Sequence, residues 1–247
     1  NFKKTVKEEY LDINETLAEL ENTSSVIRLE LNTIELPLFS KDPKRIKNQI
    51  KIYHFKTDKS SYLEIEAPAN YSIPGEFEER VFIALTKIMK NNNYSRSFVV
   101  SANEILETLG LSNKAYYKRI REALTLLSKT NYTFLNSLYS NKESGIIEKK
   151  IMSNIMNITI ISKKDSRAKE IEAFEDGRIK EVYEINFTDY FYENIIRKGY
   201  LAFDSGKLLA IENSVSRAIY TIVEKWRGYD LYIKRQAFFI ARRIPLK

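Results

Sequence analysis

The stretch "LGLSNKAYYKRIR", residues 109 to 121, sets Lys114, Lys118 and Arg121 in step along a helix, and Thr125 and Lys129 continue the stripe. At about 100° per residue, Tyr116, Ile120, Ala123, Leu124 and Leu127 fall on the other side, with Tyr117 at the margin. Only Glu122 interrupts the basic face. Lysine and arginine presented this way neutralise phosphates and release counterions, which gives affinity without sequence preference. Arg121 is the best placed base reader, because its fork matches guanine O6 and N7. Asn113 either pairs with an adenine or caps its own helix, and asparagine at such a position is a common cap. Tyr117 either touches a phosphate or covers the edge of the core. Many solvated helices carry the same pattern, so the surroundings have to decide.

Other chemistries have little support. The chain has no cysteine, which excludes disulfides, zinc-finger sites and thiol catalysis. A rolling-circle nicking enzyme needs a His-x-His metal pair beside a tyrosine nucleophile, and His54 is the one histidine. The sixteen tyrosines are therefore no argument for nicking. His54 lies in an expected strand, where a surface or packing role suffices. The seven glycines are not spaced as a phosphate-binding loop. Glu78 and Glu79 open a helix, where the dipole favours acids. No cofactor, no metal site and no enzymatic activity are expected.

The 247 residues, 43% apolar, suffice for one large domain or two smaller ones. The net charge of +7 is unevenly spread: residues 1 to 40 hold four Lys/Arg against eight Asp/Glu, a net of −4, so the remainder carries +11. A basic body behind an acidic leader suits a polyanion, nucleic acid before membrane, although Lys-rich and Asn-rich usage also follows from an AT-rich genome. No apolar run approaches the ~20 residues of a membrane span, and no signal peptide is recognisable, so a cytoplasmic location is expected.

The elements that must hold the basic helix follow from periodicity and punctuation. Residues 3 to 21 read as an acidic amphipathic helix and 25 to 39 as a strand leading to Pro37. "SKDPKRIKNQIK" (40 to 51) is a basic loop, and 52 to 67 a hairpin turning at Asp58 to Ser61. Residues 76 to 90 form a helix with Phe77, Val81, Ala84, Leu85 and Ile88 on one face. After the strand "SFVV" (97 to 100), Ser101 caps a short helix to Leu109, with Glu104 completing a capping box. Gly110 ends it by permitting a positive φ. Ser112 or Asn113 then caps the helix that runs to about Lys129. Two β-rich runs, 131 to 139 and 155 to 162, flank the polar stretch 140 to 150, with Lys142, Lys149 and Lys150 at or beside its tip. Residues 163 to 178 read as a charged, mobile connection, 182 to 187 as a strand, 188 to 198 and 210 to 228 as helices, and a last helix opens near Gln236.

Short helix, glycine turn, basic helix, then strands around a basic loop is the order of a winged helix-turn-helix, in which the second helix enters the major groove and the hairpin tip meets the backbone. The expected fold class is α+β: an acidic leader over 1 to 34, a winged-helix domain with a basic hairpin over 35 to 203, and the start of a second, truncated winged-helix domain over 204 to 247. The expected DNA-binding residues are Asn113, Lys114, Tyr117, Lys118, Arg121, Thr125, Lys142, Lys149 and Lys150.

"ELPLFSKD", "IPGEFEERVFIALTKIMK", "SANEILETLGLSNKAYYKRIREAL" and "YLAFDSGKLLAIENSVSRAIYTIVEKWRG" together resemble the bacterial plasmid replication initiator protein A family over about residues 35 to 228. The resemblance implies tandem winged-helix domains that bind direct repeats in double-stranded DNA at a plasmid origin, recruit host replication proteins such as the replicative helicase, and as homodimers repress their own transcription. By position, it puts Lys114, Lys118 and Arg121 on the first recognition helix and 210 to 228 at the opening of the second domain. The recognition helix of that second domain would lie past Lys247. Two other readings stand beside it. A transcriptional regulator of the same fold would bind an inverted repeat. A protein-interaction module would keep its basic faces for solubility and use the acidic residues 8 to 21 to bind a partner or its own body.

Overall fold

Apolar–polar alternation stops at Glu30, and the chain turns there. In the computed structural model, which describes residues 25–244, Val26–Glu30 form strand β1 and Leu31–Glu35 a one-turn helix, α1. The strand expected over 25 to 39 is thus cut short, because the Glu30 carboxylate accepts a hydrogen bond from the Thr33 amide at 3.0 Å and starts a helix. The acidic helix expected over 3 to 21 lies outside the described residues.

The hairpin expected at 52 to 67 is formed by β2 (Ile50–His54) and β3 (Tyr62–Glu66), and Asp58 accepts from the Ser60 amide in its turn. Helix α2 (Glu76–Asn91) buries Phe77, Val81, Ala84, Leu85 and Ile88, the face expected from spacing. It leads through β4 (Ser97–Val100) to α3 (Ala102–Thr108) and α4 (Tyr116–Lys129). Ser101 caps α3, accepting from the Glu104 amide at 3.1 Å.

After α4 the pairing departs from expectation. The runs 131 to 139 and 155 to 162 do not form one hairpin. Tyr132, Thr133 and Phe134 are all buried, so β5 (Asn131–Leu135) is an interior strand that needs a partner on each edge. It takes β3 on one side and β8 (Lys150–Ser153) on the other, completing an antiparallel sheet β2-β3-β5-β8. Between them lies a small ribbon of β6 (Tyr139–Ser140) and β7 (Gly145–Ile146). Strand β9 (Met156–Ser162) pairs instead with β10 (Glu181–Phe187), whose other edge pairs with β4.

The connection between β9 and β10, read from sequence as mobile, has a core of its own. Two short 3-10 turns, Ser166–Glu170 and Glu172–Glu175, turn Ala168 and Phe174 onto Ile161 and Val182. Four apolar side chains among the charges suffice to close it, and the Lys163 amide donates to the Lys180 carbonyl at its base.

Helix α5 (Asp189–Ile196) precedes β11 (Tyr200–Asp204), which pairs with β1. Under β1 lies a buried polar knot. Glu30 accepts from Asn32 Nδ2 at 2.7 Å and from Asn194 Nδ2 at 2.6 Å, and burial pushes its carboxyl up to about 7 despite these bonds. Helix α6 (Ser205–Ala210) contributes Leu208 and Leu209 to the main core. The helix expected over 210 to 228 starts at Ser214, as α7 (Ser214–Arg227), because Asn213 caps it by accepting from the Val215 and Ser216 amides.

An ion triad fastens α7 to α2. Glu79 meets Lys41 Nζ at 2.6 Å and Arg217 Nη2 at 2.8 Å, and Arg217 is 1% exposed. Burial alone would raise the Glu79 carboxyl, but Lys41 and Arg217 hold it below the usual range. Lys225 of α7 also pairs with Glu35. The last element is α8 (Ala237–Arg243). Among the described residues, no helix is long and apolar enough to cross a membrane.

Candidate nucleic-acid interface

The basic helix is aimed by the turn before it. Gly110 sits at φ +70, and the Leu111 amide returns to the Leu106 carbonyl, so α3 stops and the chain reverses. Asn113 Oδ1 accepts from the Ala115 amide at 2.9 Å. Asn113 therefore spends its side-chain oxygen on a turn ahead of the helix, whose N-cap is Ala115 with no side-chain cap, so neither Ser112 nor Asn113 caps it as expected. Tyr116 and Tyr117 amides donate to the Asn113 and Lys114 carbonyls, so regular helix begins only at Tyr116 and Lys114 stands in the turn. Ile120, Ala123, Leu124 and Leu127 are 1% exposed or less and press α4 onto the core. The opposite face is left to Lys118, Arg121 and Glu122.

That face forms one wall of an open cleft of about 640 Å³. Lys114, Tyr117, Lys118 and Arg121 line it from the helix, and Arg178 and Lys180 face them from the β9–β10 arm. Five cations meet two carboxylates there, Asp176 and Glu181. Tyr117 Oη donates to Asn103 Oδ1 at 2.8 Å, tying the starts of α3 and α4 together. Lys118 has Glu122 only at 4.0 Å and is 86% exposed, so that pair contributes little and leaves the ammonium available. Arg121 is held by Glu181 at 3.1 Å, and Tyr183 Oη donates to the same carboxylate at 2.5 Å. Burial pushes the Tyr183 hydroxyl up, and the charge of Glu181 adds to it. Thr125 turns its hydroxyl back to the Arg121 carbonyl and lines a smaller pocket of about 140 Å³ beside Arg121 and Ile158.

Lys142, Lys149 and Lys150 are placed elsewhere. Lys142 lies in the β6–β7 turn, the Lys149 carbonyl accepts from the Asn136 amide, and Lys150 opens β8 opposite Leu135. None of the three lines the cleft. The two runs expected to flank them belong to different sheets, so the stretch is closed instead by β5 with β8 and by the β6–β7 ribbon, away from α4. Arg178 and Lys180 take the place beside the helix. The signal for them was the apolar spacing Ile161, Ala168, Phe174 and Val182, which marks a folded arm inside a charged run.

The sequence pattern of the family described as replication initiator protein A matches residues 28–233. The chain belongs to this family. Its role is therefore in the initiation of replication, and the resemblance carried by the quoted phrases is borne out. Two solved structures of domains 2 and 3 of RctB are similar to this initiator in fold. One has 13% identity and a TM-score of 0.60 and covers 87% of this chain and 77% of that one. The other has 14% identity and a TM-score of 0.51 and covers 78% and 68%. No curated protein matches the chain.

Proposed function

We propose that this initiator binds double-stranded DNA through α4, in the manner of a winged helix, at direct repeats of a plasmid origin. Helices α2, α3 and α4 with the sheet β4-β10-β9 follow the order of that fold, and the β9–β10 arm takes the place of the wing. The observation that carries the reading is the cleft in which Lys114, Lys118 and Arg121 of the helix face Arg178 and Lys180 of the arm. Lys114, Lys118, Arg178 and Lys180 bind phosphates, and Arg121 reads a base once it leaves Glu181. Binding of this kind needs no catalysis. In the same reading the protein works in the cytoplasm, draws the host helicase to the origin, and as a homodimer represses its own gene.

The test is selection of bound duplexes from a random library, followed by titration of the winner against a scrambled duplex at two salt concentrations. A single asymmetric motif, bound better as head-to-tail copies, is expected. Lys114→Ala, Lys118→Ala and Arg121→Ala together should weaken binding and lower the log–log salt slope by about 0.9 per lost phosphate contact. Unchanged affinity in the triple variant would remove α4 from the interface.

A further inference from the structure

The basic loop 40 to 51 has no part in the cleft just described, yet it borders a second one. On the other flank of α4 lies an open cleft of about 540 Å³, with Arg119 and Lys118 on the helix side and Lys47 and Arg45 on the loop side. Lys118 lines both clefts, so α4 stands as a ridge between two troughs. The second trough holds four cations against the carboxylates of Glu78 and Glu122. Asn70, Tyr71 and Ser72 add neutral polar groups along its floor.

A helix of roughly 10–12 Å diameter fills a major groove about 12 Å wide, and one phosphate strand then runs along each flank of that helix. We infer that the second cleft carries the strand opposite the one held by the β9–β10 arm, with Lys47 and Arg119 as its phosphate contacts. This rests on the reading of α4 as the groove-entering helix. It gives the protein two banks instead of one, and makes the loop 44–49 part of the DNA interface.

The bank is built to stay in place. Lys47 forms a backbone bridge with Ser72, and the Asn48 amide donates to the Tyr71 carbonyl at 2.8 Å. Asn48 Oδ1 accepts from the Asn70 amide at 2.7 Å. Arg45 pairs with the buried Glu78, which also accepts from the Gly75 amide at 2.7 Å. Arg45 is thus spent on holding the loop against the start of α2, while Lys47 is exposed toward the trough. Arg119 lies over the Phe77 ring at 4.1 Å, which fixes the direction of its guanidinium. The loop backbone and the Arg119 guanidinium are thus ordered before binding, which leaves chiefly the Lys47 side chain to be ordered.

The experiment measures the salt dependence of binding to a short labelled duplex of mixed sequence, for Lys47→Ala, Lys180→Ala, the double variant, and Lys207→Ala outside both clefts. Lys47→Ala and Lys180→Ala should each reduce the log–log slope by about 0.9, and the double variant by about 1.8, since the contacts lie on separate strands. Lys207→Ala should leave it unchanged, and Lys47→Arg should restore it. A Lys47→Ala slope equal to that of the parent, with Lys180→Ala reduced, would overturn the second bank and leave the first cleft standing. Absence of salt-dependent binding by the parent protein would overturn both.

Discussion

Replacing Glu181 with glutamine tests the ion pair that occupies the would-be base reader. Glu181 holds Arg121 at 3.1 Å and so competes with a base or phosphate for its guanidinium. The Arg121 side chain is 55% exposed, so giving up the pair costs about 0.2–1 kcal/mol. The carboxylate also repels phosphate: two unit charges about 7 Å apart in water contribute about 0.6 kcal/mol. Glutamine keeps the size and still accepts from Tyr183, so the fold should be unaffected. Removing both penalties predicts tighter binding by about 1 kcal/mol, roughly fivefold. Fluorescence anisotropy with a labelled duplex measures this, and circular dichroism checks the fold. In an Arg121→Ala background the pair is gone, and the gain should fall to the repulsion alone, roughly threefold, and shrink further with salt. Unchanged or weaker binding by Glu181→Gln in the parent background would refute the reasoning, since Glu181 would then be neutral to DNA or a contact in its own right.

Two further outcomes concern the scaffold. Between pH 4.5 and about 7, the unfolded chain gives up the Glu30 proton while the folded chain keeps it, so stability should fall as pH rises through that window. The total loss is about 3 kcal/mol; urea melts at several pH values should show it, and a Glu30→Gln variant should lack it. Glu79→Ala would leave Lys41 and Arg217 buried without their counter-charge, and should destabilise by about 3–5 kcal/mol. Hydrogen exchange should quicken first in α7; protection there equal to the parent would show that the triad does not hold that helix.

The parts legible in the sequence are those whose cause is local. Ser101, Gly110 and Asn113 punctuate α3 and α4 within a few residues of what they control, and the apolar period of α4 is readable without a partner. Lys114, Tyr117, Lys118 and Arg121 meet in one cleft because one helix start carries them all. Pairing of β5 was not legible, because a strand buried on both faces carries no mark of which neighbours it will take. The β9–β10 arm was hidden because its few apolar residues are outnumbered by charges, so composition reads as a solvated linker. Glu79 and Arg217 lie 138 positions apart, and no local pattern announces an ion pair over that distance. The basic loop was recognised as basic, but its place beside α4 depends on the bridge to Ser72, which no local pattern announces.

The triad at Glu79 also decides which body α7 belongs to. Splinted to α2, helix α7 travels with the body that presents α4, although it comes after β11 in the chain. Past it the chain turns at Gly228, φ +57, and runs largely exposed to Gln236. Helix α8 nevertheless closes on the same body: Arg243 donates to the Glu35 carbonyl at 3.2 Å and lies over the Phe55 ring, and Ile244 is buried, so both ends of the exposed stretch are tied to one platform.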